Sequence, residues 1–181
     1  MWNKPFVEQL KVLVVIAFVV VLVWLAKPTP VLFVVGLAMA ILGEAIRVWA
    51  AGHLRRNQQL ITSGPYAHCR HPLYLGRFLL LPGICLMCGY WYLALPALAI
   101  LAAYSMSRKV RREEERLRGL FGEATFDAWA KNVPRIFPRL TPFRLNPQPW
   151  SLRVVIENNH EHWTVLAELV LLAVLLWRLL G

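Results

Sequence analysis

Long stretches with almost no charge constrain this chain more than any other feature. Val12–Ala26 contains no charged residue, Val31–Ala51 only Glu44 and Arg47, Leu73–Gly89 only Arg77, and Tyr90–Ser107 none. Thr164–Leu180 carries Glu168 near its start and Arg178 near its end. A bilayer core takes about 20 helical residues to cross. Lipid offers no partner for backbone amides and carbonyls, so each crossing segment must satisfy its own, as a helix does. A soluble bundle would need a polar face at helical spacing, and Val12–Ala26 has none. The expected fold is all-α: a polytopic membrane protein of about five transmembrane helices. Two of them meet at Tyr90 with hardly any loop, forming a tight central hairpin.

Composition agrees, with 58% hydrophobic and 17% charged residues, against about a quarter charged in soluble domains. The formal charge of +10 invites a nucleic-acid reading, but its placement argues otherwise. If five spans alternate sides, Lys4, Lys11, Arg55, Arg56, Arg70 and the run from Arg108 to Arg153 share one face. The other face keeps Lys27 and Arg178. That asymmetry is the positive-inside pattern. It predicts a cytoplasmic N-terminus, a C-terminus on the opposite side and no nucleic-acid partner.

A single membrane domain over residues 1–181 is expected, with two N-terminal spans within 1–51 joined by a turn at Lys27-Pro28-Thr29-Pro30. Val12–Ala26 has no small-residue cleavage site, so it reads as a span rather than a signal peptide. Gly36, Ala40 and Gly43 line one stripe of the second span and let a neighbouring helix come close. Glu44 and Arg47, three apart, can pair. Cys85 and Cys88 form a CxxC inside an apolar helix without further ligands at metal spacing, so no metal site is expected. Five prolines between Pro134 and Pro149 exclude a helix there. The last span then closes a 139–181 segment.

Two polar clusters flank the hairpin: Arg70-His71-Pro72-Leu73-Tyr74-Leu75-Gly76 at its entrance, and Arg111-Arg112-Glu113-Glu114-Glu115-Arg116 past its exit. A hairpin returns to the side it left, so both clusters are expected at one membrane face. Pro72 suits the first helical turn. Three consecutive carboxylates cannot all point one way on a helix, so at most one or two face inward. Taken singly, Arg70-His71 could be an interfacial anchor and the glutamates a solvated face.

Leu60-Ile61-Thr62-Ser63-Gly64-Pro65-Tyr66 followed by Arg70–Gly76 resembles the entry motif of the isoprenylcysteine carboxyl methyltransferases and their phospholipid methyltransferase relatives. Glu113-Glu114, Leu117, Phe121-Gly122 and Val133-Pro134-Arg135-Ile136-Phe137-Pro138 are similar to that family's C-terminal signature, in order and spacing. The likeness covers residues 60–138, which it marks as the catalytic core. It implies an integral membrane enzyme holding S-adenosylmethionine in a pocket at the cytosolic face and methylating a lipophilic acceptor from the bilayer. The acceptor could be a prenylated carboxylate, a phospholipid amine, or a small hydrophobic thiol or acid. Carried over residue by residue, the resemblance implies that His71, Pro72, Tyr74, Leu75 and Gly76 line the cofactor site. Glu113 and Glu114 would accept hydrogen bonds from ribose hydroxyls or an amino group, and Arg70 would steer an anionic acceptor. Arg70 and Glu114 are the residues expected nearest the chemistry. After Phe121-Gly122 the family has two tyrosines three apart. This chain has Phe126 and Trp129, one residue later, keeping the rings and losing the hydroxyls. The competing expectation from another class is a non-catalytic scaffold that kept the fold.

Overall fold

The computed structural model describes residues 20–21, 23–55, 57–105, 108–143, 145, 147–158 and 161–180. Most of the first expected span, residues 12–19 and 22, and the basic residues Lys4, Lys11 and Arg56 lie outside the described residues. A helical stretch that ends at Trp24 is followed by a turn.

Among the described residues the chain is helical, with no strand. Helix α1 spans Pro30–His53, with proline in its first turn, where a missing amide costs nothing. Its 24 residues reach about 36 Å at 1.5 Å each. A loop carrying a 3-10 turn at Gly64–Ala67 leads to α2, Pro72–Met87. Cys88–Tyr90 turn the chain directly into α3, Trp91–Ser105. Gly89 makes this turn with φ of +84°, a left-handed conformation that suits a residue without Cβ.

Helix α4, Arg108–Phe121, runs through Gly119 and stops at Gly122, whose φ is +87°. Helix α5, Glu123–Asn132, follows at once. No helix forms from residue 134 to 151 among the described residues, as its prolines require. A short π-helical turn at Val154–Asn158 precedes α6, Glu161–Leu180. Two helices are long and apolar enough to cross a membrane, α1 and the His162–Leu180 stretch of α6; α2 is a shorter apolar helix.

Helices α1 and α2 pack backbone against backbone. A Cβ placed on Gly43 would lie 2.6 Å from the Gly76 carbonyl oxygen and 2.8 Å from the Leu80 nitrogen. One on Gly83 would lie 2.7 Å from the Gly36 carbonyl oxygen. The small-residue stripe of α1 thus meets a second pair of glycines, seven apart, on α2. Beside this seam Phe33, Leu80, Met87 and Leu175 form one apolar core. Arg47, only 4% exposed, donates to Glu44 at 2.7 Å and to Glu168 of α6 at 3.0 Å. The pair expected from spacing is therefore part of an ionic group that joins α6 to α1.

The bundle has two distinct ends. At one, the Lys27 amide donates to the Cys88 carbonyl at 3.1 Å, and Arg178 reaches the carbonyls of Val23 and Trp24. At the other, the chain after α5 straps across the α1–α2 loop. Amides of Arg70 and His71 donate to carbonyls of Pro134 (2.8 Å) and Arg135 (3.0 Å). Those of Arg139, Phe143 and Ser151 donate to His68, Ala67 and Gly52. A second core there gathers Leu60, Ile61, Tyr66, Phe126, Trp129 and Val133.

Candidate functional site

The strapped end holds a cavity of about 410 Å³, within the 300–1,000 Å³ typical of small-molecule sites. The loop after α1 contributes Leu54, Arg55, Asn57, Gln59, Leu60 and Ile61 to its wall. Tyr66 and the run Arg70-His71-Pro72-Leu73-Tyr74 form a second side. Glu113, Arg116, Leu117 and Phe121 of α4, with Trp129 of α5, close the third.

The two polar clusters that flank the hairpin meet here, and Glu114 is the point of contact. It is 9% exposed. Its Oε1 accepts from Arg70 Nη1 at 2.9 Å and from Arg135 Nε at 3.2 Å, while Oε2 accepts from Arg135 Nη2 at 2.6 Å. His71 Nε2 lies 3.1 Å from Oε1, and beside a carboxylate oxygen that nitrogen must carry its proton. Burial alone would raise the Glu114 pKa. Hydrogen bonds from His71 and Arg135 and the charges of Arg70 and Arg135 outweigh it, and bring the carboxyl down to about 2. Burial pulls the Arg70 guanidinium below its ordinary value, with Glu114 acting against that pull.

These contacts separate the expected site residues into two groups. Arg70, His71, Pro72, Tyr74 and Glu113 line the cavity. Glu114, Leu75 and Gly76 do not. Glu114 stands behind the wall, its oxygens committed to three basic side chains. Gly76 belongs to the helix seam, where a Cβ would meet the Arg47 stem at 2.5 Å and the Gly43 carbonyl at 2.6 Å. The aromatic pair also divides. Trp129 lines the cavity and its Nε1 donates to the Tyr66 carbonyl at 3.2 Å. Phe126, 1% exposed, packs edge-on against it, with centroids 5.6 Å apart.

Three groups found here had no role assigned from sequence: Arg135 in the ion cluster, and Arg55 and Arg116 on the cavity wall. Arg135 stood in plain view inside Val133–Pro138, but nothing in the spacing says which carboxylate it would meet. The Nε atoms of Arg55 and Arg70 are buried without a hydrogen-bond partner, and both arginines line the cavity. Two guanidinium groups on the wall suit it to an anionic group. Glu113 adds an acceptor and Trp129 and Phe121 add flat aromatic surface. S-Adenosylmethionine presents a carboxylate, ribose hydroxyls and an adenine ring, and this set of residues fits all three. Among the described residues no group of histidine, cysteine and carboxylate side chains could hold a metal ion.

Comparison with known proteins matches residues 32–119 to the isoprenylcysteine carboxyl methyltransferase family. The chain is 36% identical over 129 residues to the cobalt-zinc-cadmium resistance protein CzcN of Cupriavidus metallidurans, covering 70% of this chain and 57% of that protein. It is 35% identical over 123 residues to the nickel-cobalt-cadmium resistance protein NccN of Alcaligenes xylosoxydans xylosoxydans, covering 67% and 55%. With the protein-S-isoprenylcysteine O-methyltransferase of Schizosaccharomyces pombe it shares 29% identity over 101 residues, or 56% and 42% of the two chains. The chain thus spans little more than half the length of the resistance proteins it matches. No solved structure matches it. The matched stretch takes in α1, α2, α3 and nearly all of α4, including the entry motif and both glutamates. Over residues 32–119 the chain belongs to the isoprenylcysteine carboxyl methyltransferase family.

Proposed function

We propose that this protein transfers a methyl group from S-adenosylmethionine to a lipophilic acceptor at a membrane interface. The observation that carries the reading is the cavity itself. The family's entry motif supplies one wall, and Glu113, Arg55, Arg70 and Trp129 offer partners for each part of the cofactor. The arrangement of about five spans, with the cavity at the cytoplasmic face, is supported by the charge distribution. Arg55, Arg70 and the basic residues of α4 sit at the cavity end, while Lys27 and Arg178 mark the other.

When bound, S-adenosylmethionine supplies an electrophilic methyl group on a positively charged sulfur. The residues of the chain have to bind, align and exclude water. Arg55 and Arg70 hold anionic groups, Glu113 accepts from hydroxyl or amino donors, and Trp129 and Phe121 cover a flat ring. Glu114 acts one step back. It fixes Arg70, His71 and Arg135 by four contacts and remains ionised, so it is a positioning residue and not a proton acceptor at neutral pH. A carboxylate acceptor on the pattern of the Schizosaccharomyces pombe relative needs no base, and Arg70 orients it. With a phospholipid amine or a small thiol, His71 is the group on the wall able to take a proton through Nδ1.

The test is ligand binding followed by product analysis. S-Adenosylhomocysteine should raise the melting temperature of the detergent-purified protein, and NADPH should not. Membranes incubated with methyl-labelled S-adenosylmethionine should release label into lipid, protein or a volatile product, which identifies the acceptor. A protein that ignores S-adenosylhomocysteine and transfers no label is a scaffold with the family fold.

A further inference from the structure

Arg77 lies in the second turn of an apolar helix, and its side chain is exposed. Six residues of α2, from Pro72 to Arg77, advance about 7.5 Å along the axis, so Arg77 stands just inside the cavity end of the bundle. Among the described residues no carboxylate pairs with it. Its guanidinium carbon sits 5.6 Å from the centre of the Tyr74 ring. That ring meets His71 edge-on, at 5.8 Å between centroids, and both Tyr74 and His71 line the cavity. Arg77 therefore caps the outer side of the cavity wall, and in the proposed arrangement of spans that is the depth where a bilayer changes from hydrocarbon to headgroups.

A charged side chain on a lipid-facing helix is costly unless it finds a counter-charge or reaches the interface. Tyr74 holds this one against the helix by a cation–π contact, so it is presented at a fixed place. At that depth the abundant anion is the headgroup phosphate, and guanidinium pairs with phosphate through two parallel hydrogen bonds. We infer that Arg77 binds the phosphate of a membrane phospholipid at the rim of the cavity, with Tyr74 between lipid and site. The inference goes beyond methyl transfer and does not depend on it, because it needs only a membrane-embedded chain.

Native mass spectrometry of the full chain, released from detergent, tests this with three probes: phosphatidylglycerol, diacylglycerol and inorganic phosphate. The wild type should retain one phosphatidylglycerol saturably and bind diacylglycerol at least tenfold more weakly. Inorganic phosphate at the same concentration should not displace the lipid. Arg77→Leu should lose about tenfold in phosphatidylglycerol affinity, and Arg77→Lys, which keeps the charge but not the paired donors, should fall between Arg77→Leu and the wild type. Arg77→Gln, with an unchanged melting temperature, separates loss of the charge from loss of the fold. Equal retention by wild type, Arg77→Leu and Arg77→Gln would overturn the assignment. Displacement by inorganic phosphate would overturn its lipid source. No cofactor or acceptor enters the measurement, so its failure is distinct from failure of the enzymatic reading.

Discussion

The α1–α2 seam and the cavity end are held by opposite means. In the seam, glycines bring two backbones together, with the Arg47 stem against Gly76. The cavity end is drawn from five chain segments and converges on one carboxylate that serves three basic groups. A seam of this kind stabilises by dispersion between closely packed atoms. An ion cluster stabilises only while complete, because removing one partner leaves the others buried without a counter-charge. The seam therefore gives shape, and the cluster makes the cavity wall an all-or-none structure.

Breaking the cluster should have the largest effect. Glu114→Ala strands Arg70, Arg135 and His71 and should cost about 3 kcal/mol, read as a lowered melting temperature together with loss of S-adenosylhomocysteine binding. Gly83→Val overpacks the seam and should cost about 1–3 kcal/mol, lowering the melting temperature while the folded fraction keeps its ligand affinity. If both variants lose affinity in parallel with stability, the two regions are not separate. Trp129→Phe removes the hydrogen bond to Tyr66 and keeps a ring, for about 1 kcal/mol. Glu113→Gln should change stability by less than about 0.5 kcal/mol yet weaken S-adenosylhomocysteine, as expected of a wall residue with no part in the cluster.

Acid sharpens the contrast further. The Glu114 carboxyl titrates lower in the folded protein than its ordinary value of 4.5. Its contribution is present above that value and disappears as pH falls from 4.5 towards about 2. Melting temperatures measured across this window should fall more steeply for the wild type than for Glu114→Gln, whereas Gly83→Val should follow the wild-type slope.

The difference between the regions also decides what the sequence could reveal. Hydrophobic runs located α1, α2, α3 and α6, and Tyr90 located the hairpin turn, because length and apolarity act segment by segment. Gly36 and Gly43 announced a close contact. They did not say that Gly76 would be part of it; a glycine there allows close approach of a ligand or of a neighbouring helix, and the resemblance set it at the cofactor site. On α4, adjacent glutamates point about 100° apart, and without the orientation of the helix nothing distinguishes the wall residue Glu113 from the buried hub Glu114. Arg135 joins a carboxylate 21 positions earlier from the start of a proline-rich stretch that has no periodicity to read. Interactions within one helix are written in spacing; those between distant segments emerge only when the chain closes on itself.

The straps from Arg70 and His71 to Pro134 and Arg135 set an order of events during synthesis. The first glycine-lined helices can dock as soon as α2 leaves the ribosome. Ligand recognition must wait for Pro134 and Arg135, about fifty residues beyond the end of α2 at Met87, since the segment that pins the motif in place is made after α5. A nascent chain halted before residue 134 would be inserted and paired but blind to its ligand.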